Sequence, residues 1–262
     1  MQPKVAVVLL RHEYVDSYTG EYVLALDGLS LDVDEGEFLT VVGPSGCGKS
    51  TFLHIVAGLI QPTSGRILLD GRPVRGPGAD RGMVFQEFAI LPWRTVESNI
   101  GHGLEIMGVP KAQRQATVAK FIALVNLSGF ERKYPHELSG GMKQRVAVAR
   151  TLAANPEVML MDEPFAAVDA QTRISLQEEL ISIGLATRKT IIFVTHSVEE
   201  AVFLGDRVVI LSRRPGKVKE IVPVNVDRPG RNWAGMSKNP EYEAKRGHVL
   251  NSVREEVLHL QE

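Results

Sequence analysis

"GPSGCGKST", residues 43–51, sets three glycines, a lysine and two adjacent hydroxyls between the apolar run "FLTVV" (38–42) and the helix-like run "FLHIVAGL" (52–59). Glycine loses more conformational entropy on ordering than any other residue, so glycines this dense imply that the backbone itself has something to hold. Gly43, Gly48, Lys49 and Ser50 fit G-x4-G-K-[ST]. A loop that enters a helix N-terminus aims several backbone N–H groups at one spot, and the helix dipole adds positive potential there. Gly43, Pro44, Ser45, Gly46, Cys47 and Gly48 therefore read as a cradle for a phosphate chain. Lys49 reads as the cation that reaches its terminal phosphates, Ser50 as a hydroxyl for Mg²⁺, and Thr51 as support for a neighbouring phosphate. The plainer alternative is a glycine-rich turn before an ordinary helix; the flanking strand and helix are the context that favours the phosphate loop. Cys47 has two readings: a small filler whose backbone amide does the work, or a thiol activated by the helix N-terminus and Lys49.

Outward from this loop, short apolar, partly β-branched runs read as buried strands: 38–42, "GRILLDG" (65–71) ending in a D-G turn, "GMVFQ" (82–86), "EVMLM" (157–161), "TIIFVT" (190–195) and "RVVIL" (207–211). Helical patterns separate the later ones, which predicts a largely parallel sheet covered by helices. From about residue 110 to 155 the spacing turns helical, with Val118, Phe121, Ile122 and Val125 on one face. "GMKQRVAVARTLAANP" reads as a second helix, stopped at Asn155-Pro156. "DRPGRN" (227–232) reads as a turn or linker. After Pro240, Tyr242, Val249, Leu250, Val253 and Val257 suggest a terminal amphipathic helix.

Other strand ends carry chemistry. "VMLMDEP" closes on Asp162, placed to hold Mg²⁺ through its water shell, and Glu163, placed to orient or deprotonate water. "FVTHS" closes on His196, which could touch a γ-phosphate or the attacking water, and "GMVFQ" closes on Gln86, whose amide oxygen could reach Mg²⁺. In "LSGGMKQR" (138–145), Ser139 can cap the next helix, and Gly140 and Gly141 expose backbone N–H groups, which makes a second anion-binding terminus. A plain N-cap explains that segment equally well from local chemistry alone.

The 262 residues are 44% hydrophobic and 23% charged, with a formal net charge of −1. That composition suits a globular core, and no basic excess points to nucleic acid. One cysteine excludes an intramolecular disulfide. The apolar run Val5–Leu10 is too short for a signal-peptide core or a membrane span, so work at a membrane would require docking on another protein.

Taken in order, "GPSGCGKST", "VFQ", "LSGGMKQR", "VMLMDEP", "AAVD" and "VTHS" resemble the Walker A motif, Q-loop, signature, Walker B motif, D-loop and H-loop of the ATP-binding subunits of ABC transporters, over roughly residues 20 to 215. The resemblance implies an α/β P-loop NTPase fold: a RecA-like, mainly parallel core, an N-terminal antiparallel β-subdomain and an inserted α-helical subdomain at about 88–155. The ATPase domain would run over 1–225, and 226–262 would form a C-terminal linker and helix. It implies ATP and Mg²⁺ as ligands, with Ser50, Gln86 and Asp162 at the metal, and Glu163, His196 and Lys49 as the catalytic set. It also implies a head-to-tail dimer in which Ser139, Gly140 and Gly141 of one copy complete the site holding Lys49 of the other. Asp169 ends the D-loop between the two sites, here "AAVD" where "SALD" is commoner. Adenine usually stacks on an aromatic residue ahead of the core strands; Tyr18 is the first candidate, with Tyr14 and Tyr22 competing.

The segment 76–100 and the ending "NPEYEAKRGHVLNSV" are similar to the nitrate, sulfonate and taurine importer group. That similarity implies transmembrane permease subunits as partners, a substrate-binding protein indirectly, and a place on the cytoplasmic face of the membrane. Phe88, Ile90, Leu91, Pro92 and Trp93 would then form part of the permease-docking patch. The competing readings are a non-transport relative acting on nucleic acid or ribosomes, an exporter subunit, and a small-metabolite kinase.

Overall fold

A computed structural model describes residues 2–16 and 19–258. The chain opens with two long antiparallel strands, β1 (Val5–Val15) and β2 (Tyr22–Val33). β3 (Phe38–Val42) follows, and the glycine-rich loop joins it to α1 (Lys49–Val56). A hairpin of β4 (Ser64–Leu69) and β5 (Arg72–Pro73) turns at Asp70-Gly71, both left-handed at φ 47° and 73°, as a D-G pair permits. Then come β6 (Arg81–Val84) and three helices, α2 (Val96–Ile100), α3 (His102–Ile106) and α4 (Lys111–Leu124). After a 3-10 turn at Pro135–Glu137 the chain forms α5 (Gly140–Ala153), β7 (Val158–Asp162), α6 (Ala170–Thr187), β8 (Thr190–Val194) and α7 (Val198–Leu204). It closes with β9 (Arg207–Leu211), β10 (Val218–Pro223), α8 (Trp233–Met236) and α9 (Pro240–Leu258).

The strands form two sheets. One is antiparallel, in the order β2-β1-β4-β5; the other runs β10-β9-β3-β8-β7-β6, parallel except for β10 at its edge. Every residue of β3, β7 and β8 is buried, as expected of parallel strands covered on both faces. Alternation divides those apolar runs between two cores. Phe38, Met159, Met161, Ile191, Phe193, Val208 and Ile210 pack towards α5, α6, α7 and α9. Leu39, Val41, Val158, Leu160, Ile192, Val194 and Val209 pack towards α1 and the antiparallel sheet.

The strands read from sequence are present, with β3 and β9 bounded as expected. β6 is shorter than its reading and stops at Val84, which leaves Phe85 and Gln86 beyond it. Val5–Leu10 belongs to β1, and β10 has no counterpart in the sequence reading. The 227–232 segment contains a buried anchor: the Arg231 guanidinium donates to the carbonyls of Phe203 and Gly205, both at 2.9 Å, and to that of Val226. Beyond it Trp233 stacks on Phe203 at 4.3 Å between ring centres, and Tyr242 and Val249 bury one face of α9. Among the described residues no helix is long and apolar enough to cross a membrane.

Candidate active site

β6, β7, β8 and β3 are neighbours and parallel, so their C-terminal ends share one edge of the sheet, the edge where open α/β sheets bind ligands. The register makes the alignment concrete. Val41 of β3 and Asp162 of β7 both lie opposite Val194 of β8, and Val84 of β6 lies opposite Met161. The residues just past these positions, the phosphate loop, Glu163, His196 and Gln86, therefore leave the sheet side by side.

Within the loop Gly48 sits at φ 103°, a conformation open to glycine but costly for other residues. Lys49 is buried and donates to the carbonyls of Gly43 at 2.8 Å and Pro44 at 3.0 Å, which curls the loop around its own cation. Ser50 Oγ donates to Asp162 Oδ1 at 3.1 Å. Burial holds the Asp162 carboxyl above the usual carboxylate range, against the opposing pull of Ser50 and His54. A buried carboxylate beside a hydroxyl, both hard oxygen donors, fits Mg²⁺. Cys47 is 1% exposed and burial pushes its thiol up, which opposes the activated-thiol reading.

Glu163 Oε2 lies 2.8 Å from His196 Nδ1. Its backbone is left-handed, at φ 42°, a strained conformation for a residue with a side chain, and its N–H is tied to the Val194 carbonyl at 2.9 Å. Thr195, the residue before His196, ends a buried chain of hydrogen bonds that the sequence does not announce. Thr195 Oγ1 donates to Glu200 Oε2 at 2.6 Å and accepts from Ser197 N at 3.0 Å. Gln177 Nε2 donates to Glu200 Oε1 at 2.8 Å, and Trp233 Nε1 donates to Gln177 Oε1 at 2.9 Å. Burial raises the Glu200 carboxyl. Thr195 and Glu200, five apart across a strand-to-helix junction, carry a faint sequence signal; Gln177 and Trp233 carry none.

These elements surround a cleft of about 270 Å³ lined by Tyr14, Val23, Ala25, Ser45, Gly46, Gly48, Lys49, Ser50, Thr51, Glu163 and Arg214. Larger hollows of about 770 and 900 Å³ lie around α2–α4 and at 129–137, away from the phosphate loop. Of the three tyrosines weighed for adenine, Tyr18 lies outside the described residues, and Tyr22 is 75% exposed. Tyr14 is the one at the cleft: its hydroxyl is 3.1 Å from Thr51 Oγ1, and His12 meets its ring edge-on at 4.6 Å. Gln86 is exposed and does not line the cleft.

Ser139 caps α5, accepting from Met142 N at 3.3 Å, and is exposed; neither it nor Gly140 or Gly141 lines this chain's cleft. A Cβ on Gly141 would come within 2.5 Å of Thr172 Cγ2, so the glycine brings the start of α5 against α6. Asp169 caps α6, accepting from Thr172 N at 3.0 Å, a bond that holds its carboxyl below the usual range. The bulky segment after Gln86 is divided: Phe88 and Ile90 pack on the core, while Trp93 is 71% exposed. Asn99, fully buried, ties down 91–95 through Leu91 N and the carbonyls of Leu91, Arg94 and Thr95.

Residues 26–166 match the family described as ABC transporter. The chain is 56% identical over 241 residues to an uncharacterized ABC transporter ATP-binding protein of Methanocaldococcus jannaschii, covering 92% of this chain and 88% of that one. It is 44% identical over 247 residues to a taurine import ATP-binding protein of Roseobacter denitrificans, covering 91% of each. Among solved structures it is similar to a dimeric ATP-binding cassette in a post-hydrolysis state with ADP and phosphate bound. That likeness has a TM-score of 0.75 at 30% identity, over 85% of this chain and 100% of the other.

Proposed function

The chain belongs to the ABC transporter family, and from that premise we propose that it is the ATP-hydrolysing subunit of an importer for a small solute of the nitrate, sulfonate or taurine type. The observation that carries this reading is the meeting of three strand ends at one cleft: Lys49, Ser50 and Glu163 line it, and Asp162 and His196 are hydrogen-bonded to Ser50 and Glu163. A triphosphate lying along the glycine-rich loop would take backbone N–H groups and Lys49, whose present bonds to two loop carbonyls would give way to phosphate oxygens. Tyr14 would stack on adenine. Glu163, held against His196, would accept the proton of a water aimed at the γ-phosphate. Mg²⁺ would be held by Ser50, by Asp162 through water, and by Gln86 once its turn closes on the site; it would draw charge from the phosphates.

Ser139 is exposed at the start of α5 and does not line its own cleft, with Gly140 half-buried and Gly141 buried beside it, which suits head-to-tail pairing of that terminus with the cleft of a second copy. ATP-driven closure and post-hydrolysis release of the pair would move a transmembrane permease between access states, with this chain on the cytoplasmic face and a substrate-binding protein delivering solute. The test is Glu163→Gln. This variant should bind ATP and dimerise but turn over at least about a hundredfold more slowly, read by phosphate release and sedimentation. Turnover near that of the wild type would refute the assignment of the base.

A further inference from the structure

The cleft contains one cation that none of the motifs supplies. Arg214 lies in the turn between β9 and β10 and lines the cleft with Tyr14, Gly48, Lys49 and Thr51. The turn is braced internally: Ser212 N donates to the Lys217 carbonyl at 2.9 Å, Lys217 N donates to Ser212 Oγ at 3.0 Å, and Ser212 Oγ donates to the Pro215 carbonyl at 3.2 Å. Its inner side rests on the phosphate loop and β2. Gly216 N donates to the Ala25 carbonyl at 2.8 Å, and a Cβ on Gly216 would fall 2.1 Å from the Cys47 carbonyl oxygen, so only glycine allows that approach. Its outer side is held by α9: Glu256 accepts from Arg213 N at 2.9 Å and pairs with Lys219 at 3.0 Å.

Three cations near the turn have carboxylate partners. Arg11 pairs with Glu13 and Asp27, Lys217 with Asp27, and Lys219 with Glu255 and Glu256. Among the described residues Arg214 has neither an ion-pair nor a hydrogen-bond partner. A guanidinium is a planar fork suited to phosphate oxygens. Left unneutralised at the rim of a phosphate cleft, on a turn fixed from both sides, it is placed to meet an anionic ligand.

We propose that Arg214 binds a phosphate of the nucleotide, and that Glu256 acts as its positioning residue, so that the C-terminal helix sets nucleotide affinity. This rests on the reading of the cleft as a nucleotide site. The experiment is titration of the full chain with Mg·ADP by calorimetry, alongside apo melting curves. Arg214→Gln should raise Kd about 5- to 20-fold with an unchanged apo melting temperature, and Arg214→Lys should recover part of the loss. Glu256→Gln should raise Kd less, and combined with Arg214→Gln it should add nothing further, because it acts through a side chain already gone. Wild-type affinity in Arg214→Gln would overturn the binding role, and additive losses in the double variant would overturn the role of α9. Lys49→Ala separates the two levels. If it loses ADP binding while Arg214→Gln keeps it, the Arg214 proposal alone falls; if Lys49→Ala also binds as wild type, the nucleotide reading of the cleft falls with it.

Discussion

Cys47 shows how burial overrides a residue's neighbours in sequence. Two positions from Lys49 and beside a helix N-terminus, it has the electropositive setting of a reactive thiol, yet it is 1% exposed and burial raises its pKa. A raised pKa means less thiolate at neutral pH, and the thiolate is the nucleophile. Native protein should therefore label with a maleimide at least about a hundredfold more slowly than the unfolded chain, read by intact mass. Fast labelling accompanied by loss of ATPase activity would restore the reactive-thiol reading. Lys49, Ser50, Asp162 and Glu163 were legible because each sits at a fixed offset from a glycine-rich loop or the end of an apolar run. That Tyr14 reaches the cleft was not legible, because its position depends on β1, whose pairing with β2 shifts register three times between Val7 and Glu13. No local pattern records those shifts.

At the scale of elements, α8 is joined through Trp233, Gln177 and Glu200 to Thr195, the neighbour of the proposed catalytic residue His196. Trp233→Phe keeps the stack on Phe203 but removes the N–H that holds Gln177. We expect a stability loss of about 1–2 kcal/mol in urea melts, accompanied by a fall in kcat with nucleotide affinity unchanged. An unchanged kcat would show that the chain of hydrogen bonds only packs. The parallel strands were legible because runs such as 207–211 are apolar on both faces and stop at polar residues. β10 was not, because "VKEIVP" exposes half of its side chains and becomes a strand only by pairing with β9. The sequence pattern makes Gln86 the end of a strand, but the pairing of β6 with β7 finishes at Val84 and Met161, and Gln86 lies exposed in the turn that follows.

For the whole molecule, the proposed head-to-tail pairing would set the Ser139 terminus of one copy opposite the phosphate loop of the other. Ser139→Arg puts a bulky cation on that exposed terminus, which does not line this chain's own cleft. It should leave monomer affinity for Mg·ADP within about twofold, since Ser139 does not line that cleft and distant sites act independently. It should also abolish ATP-dependent dimers in a Glu163→Gln background, read by sedimentation velocity. Dimers of wild-type strength would sink the head-to-tail arrangement. The left-handed backbone at Glu163 has a wider consequence. Glycine would adopt that conformation without steric cost, so Glu163→Gly should raise unfolding stability by about 0.5–1 kcal/mol while ending turnover. Directed evolution for heat tolerance alone would drift towards a sturdier cassette that no longer burns fuel.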